Sequence, residues 1–195
     1  MKKLCILVLI VISFRAFSQD SLKTYNYSRN HITATGMDVL GSWAISNIGV
    51  GSIGWADSKG GSNKYFYQMN TIWGAANLGA AILGFTSVHN NKNKVLNPAE
   101  SLNAQQKIEK TFLINGGLDV VYIGAGIFLK NRGDTRNSTE LRGYGSSIII
   151  QGAFLLLFDG TMYSAQRSHG NKLRNFLTKN PITFNGKSVG MIFNM

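Results

Sequence analysis

Ile148-Ile149-Ile150-Gln151-Gly152-Ala153-Phe154-Leu155-Leu156-Leu157-Phe158 decides the class of this chain. The run holds one amide and no charge, whereas each helix of a soluble bundle must turn a polar stripe toward water. A secreted soluble four-helix bundle is the competing reading, and this run argues against it. Outward from it, the apolar stretch covers residues 145–165, close to the ~20 residues that cross a hydrocarbon core. Residues 35–56, 66–88 and 111–129 are of similar length and character, and none of the four contains proline. Gly, Ala and Ser are frequent within them, which weakens a helix in water but lets helix backbones approach closely in lipid. The expectation is an all-α fold: a four-helix transmembrane bundle of two helical hairpins over residues 19–165.

Residues 1–18 read as a cleaved signal peptide: Met1-Lys2-Lys3, an apolar run from Leu4 to Phe14, then small residues in Ala16-Phe17-Ser18. Eleven apolar residues cover only about half of a ~30 Å core, which favours cleavage over anchoring. Cleavage removes the one cysteine, Cys5, and leaves a formal charge of +8 from the +11 of the whole chain. The remaining positive charges lie scattered in loops and tails rather than in one stripe, which excludes a dedicated nucleic-acid binder. With an even number of spans, both mature termini fall on the periplasmic side. Lys and Arg are denser in the two loops this places inside, residues 57–65 and 130–143. Helical spans point to the inner membrane, because outer-membrane proteins are usually barrels.

Two short matches suggest an internal duplication. Thr35-Gly36-Met37-Asp38-Val39 is echoed by Gly116-Gly117-Leu118-Asp119-Val120 at an offset of 81, and Ile72–Leu78 by Ile150–Leu156 at 78. Such Gly/Ala-rich matches also arise by chance in this composition. Outside the spans, Asn97-Pro98-Ala99-Glu100 spells a helix start with a side-chain cap. Leu22, Tyr25, Arg29 and Ile32 lie along one face of an extension ahead of helix one. The tail, residues 166–195, is expected to hold a short basic amphipathic helix at the interface (Leu173, Phe176, Leu177) and a β-hairpin turning at Asn185-Gly186. Trp43, Trp55, Tyr65, Phe66, Tyr67, Tyr144 and Tyr163 lie near span ends, as an aromatic belt requires.

No catalytic constellation is legible. Gly49-Val50-Gly51-Ser52-Ile53-Gly54 has the dinucleotide-binding spelling but ends an apolar helix instead of following a strand, so it reads as helix packing. His31, His89 and His169 lie outside or at the edges of the spans, and no metal-ligand or haem spacing is present; no cofactor is expected. The remaining signal is polar residues inside the spans. Asn115, Asp119 and Tyr122 share a face of helix three, Asn70 and Asn77 of helix two, Gln151 and Asp159 of helix four, with Asp38 near the outer end of helix one. An ionised carboxylate costs several kcal/mol at depth unless paired or protonated, so these should face inward. They form either a hydrogen-bond network that fixes register or a site for a proton, cation or small polar solute. The corresponding roles are a structural or assembly protein of the envelope, contacting lipid and a protein partner or a second copy, or a small transporter or channel. A membrane enzyme has least support.

Five blocks, Thr35–Ala44, Lys64–Asn70, Gln105–Lys110, Gly116–Gly124 and Gly143–Phe154, together make the chain resemble an uncharacterised family of small four-helix membrane proteins from Bacteroidota. The resemblance spans essentially the whole mature chain. It implies location and architecture and brings no activity with it.

Overall fold

A computed structural model describes the backbone of residues 2–179, 182–184 and 189–191, and the side chains of residues 20–179. The details of the expected signal segment and of the Asn185-Gly186 turn lie outside this range. Four long helices account for nearly all of it: α1 (Lys2–Asp57), α2 (Gly61–Asn91), α3 (Pro98–Thr135) and α4 (Thr139–Lys179). Strands β1 (Ile182–Phe184) and β2 (Val189–Met191) pair antiparallel, with Phe184 opposite Val189. That register spans four intervening residues, where an Asn-Gly turn alone would span two.

Each boundary follows from local chemistry. Between α1 and α2, Gly60 and Gly61 take φ of 120° and 69°, a conformation that a side chain would strain. At the start of α3, Asn97 accepts from the Glu100 N–H at 2.9 Å while the Glu100 carboxylate accepts from the Asn97 N–H at 2.8 Å, with Pro98 in the first turn. Such a capping box contributes about 1 kcal/mol. At ~1.5 Å per residue α3 and α4 are each roughly 60 Å long, about twice a hydrocarbon core. Helices α1, α3 and α4 therefore continue past the end of α2 as a three-helix stalk.

The expected break after residue 165 is absent. Residues 166–179 extend α4 rather than forming a separate interfacial helix, because Gln166, His169, Gly170 and Leu173 face the bundle and are buried there. Gly170 has no room for a side chain: a Cβ there would meet the Glu109 carboxylate.

Among the described residues three helices, α2, α3 and α4, are long and apolar enough to cross a membrane. The first expected span falls short because Asp38, Ser42, Ser46, Asn47 and Ser52 dilute it. Yet α1 packs along the length of α2 and turns Val39, Ile45, Val50 and Ile53 outward, Val50 at 62% exposure. The belt continues around the other helices through Leu83, Leu113, Val121, Phe128 and Leu157. Trp43 departs from the expected aromatic belt. It turns inward and stacks on Phe154 with ring centres 4.0 Å apart.

Helix α1 packs on α2, α3 packs on α4, and α2 against α4 joins the two hairpins. Within each hairpin, two glycines let backbones meet. A Cβ on Gly51 would lie 2.9 Å from the Tyr67 carbonyl and 2.8 Å from the Thr71 nitrogen; one on Gly126 would lie 2.9 Å from the Gly145 carbonyl and from the Ile149 nitrogen. Gly74 meets Ala44 and Ile48 in the same way, and Gly152 meets Asp119 and Ile123. Gly41 faces Ala81, and Gly116 faces Asp159. All of these correspondences relate α1 to α3 by 75 residues and α2 to α4 by 78. The second echo read from sequence has this offset; the first, at 81, does not. Gly51 and Gly54, the latter against the Tyr67 ring, are packing notches, as expected for the glycine-rich end of α1.

Candidate functional site

The polar residues inside the bundle fall into two layers of opposite character. The layer further from the stalk is closed. Gln151 donates to Asn47 Oδ1 at 2.6 Å and to Asn70 Oδ1 at 3.0 Å, and accepts from the Trp43 indole at 2.9 Å. Ser147 donates to Asn70 Oδ1 at 2.6 Å. Gln151 and Ser147 are wholly buried. A network of this kind fixes the rotation of three helices.

The layer nearer the stalk is open. Helices α2 and α3 stand apart over most of their length; a cavity of about 370 Å³ lies between them, backed by α1 and α4. Trp73 on α2 and Tyr122 on α3 close its deep end edge to face, with ring centres 5.2 Å apart. Asp119 and Asp159 sit on its wall, 2% and 4% exposed, with their carboxyl groups beside one another and Asn115 next to Asp159. Asn77 Nδ2 and Asp119 Oδ2 have no hydrogen-bond partner among the described residues, although Asn77 is only 5% exposed. The residues that carry this unpaired donor and unpaired acceptor line one chamber, and each unpaired group costs about 1–3 kcal/mol.

Asp119, Asp159, Asn115, Asn77 and Tyr122 are brought together, then, while Asn70 and Gln151 belong to the closed layer. Asp38 belongs to neither. It is exposed on the outer face of α1, because its neighbour Met37 takes the inward position and fills the space beside Gly84. The repeat sharpens the contrast: at the positions equivalent to Asp119 and Asp159 the first hairpin carries Ala44 and Ala81, both fully buried. The carboxyl pair is therefore peculiar to one half and is not required by the packing that the halves share.

Sequence reasoning missed a polar cluster in the stalk. Gln105 accepts from the Tyr25 hydroxyl at 2.8 Å and donates to the Gln166 carbonyl at 2.7 Å; Gln166 donates to Thr33 at 3.0 Å; Asn26 donates to Ser101 at 2.8 Å. Glu109, buried beneath, accepts from Arg167 at 3.1 Å and Arg174 at 3.0 Å. Burial pushes the Tyr25 hydroxyl up to about 12 and holds the Arg29 guanidinium below its ordinary range. Ser101, Gln105 and Glu109 recur at four-residue spacing, a stripe that was visible in the sequence but carries no apolar signal.

Residues 39–160 match the sequence model of a family of unknown function, DUF6992, and since this is more than half of the chain the protein belongs to that family. The matched stretch holds both carboxyls and most of the chamber and leaves out the stalk portions of α1 and α4. No curated protein and no solved structure matches the chain.

Proposed function

We propose that this member of the family is an integral membrane binding protein whose bundle holds a small polar group between Asp119, Asp159 and Asn77. One observation carries the reading: two residues that line the same cavity, Asn77 and Asp119, hold a buried donor and a buried acceptor without partners, at a carboxyl pair the other hairpin replaces with alanine. Beyond Trp73 and Tyr122 the Gln151 network and the backbone contacts of Gly126, Gly143 and Gly145 fill the bundle. This favours binding over a standing pore. In this reading residues 1–18 are removed as a signal, all four helices cross the inner membrane, and the stalk stands on the periplasmic side.

The test is reconstitution in vesicles. Saturable binding of small alcohols or amines, weakened at least tenfold by Asp119→Asn and without passive ion current, is the expected result. A steady current through the wild-type protein would overturn it. A second reading, assembly with an envelope protein or a second copy, is favoured by the stalk, whose ordered polar cluster rises beyond the α2 end on three helices. Crosslinking from exposed Tyr27 or Phe176 tests it.

A further inference from the structure

The mouth of the chamber identifies the chemistry of what enters it. Exposed Ala80 and Ser87 on α2 face exposed Thr111, Asn115 and Leu118 on α3 across the gap between the helices. The surface flanking this gap is the apolar belt: Leu83 is 72% exposed, Leu113 57% and Ile114 51%. An opening bordered in this way faces acyl chains rather than water. Inside, most of the wall is apolar, including Met37, Leu40, Phe112, Leu155 and Phe158, and polar groups converge on one patch.

From these observations, and resting on the binding function proposed above, we infer that the chamber takes the head of a single-chain, hydroxyl-bearing amphiphile that enters sideways from the leaflet nearest the stalk. A hydroxyl carries both complements in one group, an O–H that suits a carboxyl oxygen such as Asp119 Oδ2 and a lone pair that suits an amide N–H such as that of Asn77. The chamber holds the volume of about a dozen water molecules, enough for a head and the first few methylenes. The rest of the chain passes between Ala80 and Leu118 into lipid. An anionic head, or the anionic part of a zwitterion, would need a cationic partner, and the lining residues include no Lys or Arg.

The experiment uses the full protein in phosphatidylcholine nanodiscs, a long-chain fatty alcohol bearing a photoreactive diazirine in its chain, the methyl ether of the same compound, and glycerol. The expected result is crosslinking to α2 or α3 by the alcohol, at least tenfold less by the ether, and loss of labelling in Ala80→Trp, which fills the mouth at an exposed position. Asn77→Asp keeps the side-chain size while replacing the amide donor, and should reduce labelling by a similar factor. Equal labelling by the ether would overturn the headgroup assignment. Competition by glycerol at concentrations comparable to the alcohol, with labelling unaffected by Ala80→Trp, would overturn the amphiphile while leaving the binding function standing. If neither the alcohol nor glycerol is held and Asp119→Asn changes nothing, both readings fail.

Discussion

Glu109 and Arg174 join α3 to α4 through one guanidinium nitrogen that donates to both carboxylate oxygens, at 3.0 and 3.2 Å. Glu109 is buried, with Arg174 about one-fifth exposed, so the carboxylate has little water to fall back on when its partner is removed. Arg174→Ala should therefore destabilise the protein by about 1–3 kcal/mol, less than for a fully enclosed pair because Arg167 remains at 3.1 Å. The Asp134–Arg142 pair, longer at 3.8 Å and more open, should contribute under about 1 kcal/mol. Thermal midpoints of Arg174→Ala and Asp134→Ala in one detergent check the order, and equal losses would contradict it.

Acid should loosen the stalk through His169. Its ring stacks on Tyr25 with centres 4.2 Å apart, and Nε2 lies 3.0 Å from the Tyr25 carbonyl, so Nε2 carries the proton and donates. Burial holds the imidazole below its ordinary value near 6.5; the bond to Tyr25 opposes this and Lys172 and Arg29 add to it. Above the ordinary value the ring is neutral in both folded and unfolded chains, and full stability is present. As pH falls below it the unfolded chain takes up the proton first, so stability is lost toward acid. The thermal midpoint followed from about pH 8 to about pH 5 should fall, and His169→Gln should flatten that part of the curve.

The glycine notches should sort by what faces them. Gly126→Ala and Gly74→Ala place a Cβ within 2.9 Å of backbone on the partner helix and should each cost about 1–3 kcal/mol. Gly117→Ala, with nothing within 4 Å, should be neutral or slightly stabilising through helix propensity. Loss of the folded band on graded denaturation in mixed micelles reports the difference. A comparable cost at Gly117 would mean that this face is covered in the membrane.

Copying the first hairpin into the second separates stability from function. In Asp119→Ala combined with Asp159→Ala, the carboxyl pair and the unpaired Oδ2 are gone, and the wall resembles the one that Ala44 and Ala81 already support. The double variant should be at least as stable as the wild type, by up to about 2 kcal/mol, while binding in the chamber is abolished. A large loss of stability would show that the pair is there to hold the helices together.

The helical architecture was legible because long uncharged runs and the Asn97 cap act locally, within a turn or a span. What the spacing could not supply was rotation. Asp38 and Asp119 look alike in sequence, one in each echoed motif, yet one faces out and one in. The difference arises because the true offset between α1 and α3 is 75, so Ala44 and not Asp38 stands where Asp119 does. Likewise Asn70, Asn77 and Gln151 share the inward faces the spacing predicts. Which of them find partners depends on where α2 and α3 part, and that separation is a property of four helices together. The stalk core escaped notice because Gln105, Gln166 and Glu109 give no hydrophobic periodicity to read.

The two hairpins meet their neighbours through equivalent glycines, yet only one turns aspartates inward. A pair of identical separate hairpins would be obliged to carry the acids twice or not at all, crowding four carboxyls into one bundle or leaving none. Joined through the 92–97 connection, the halves are released from that symmetry: one conserves the frame while the other changes its chemistry, and a single chamber results.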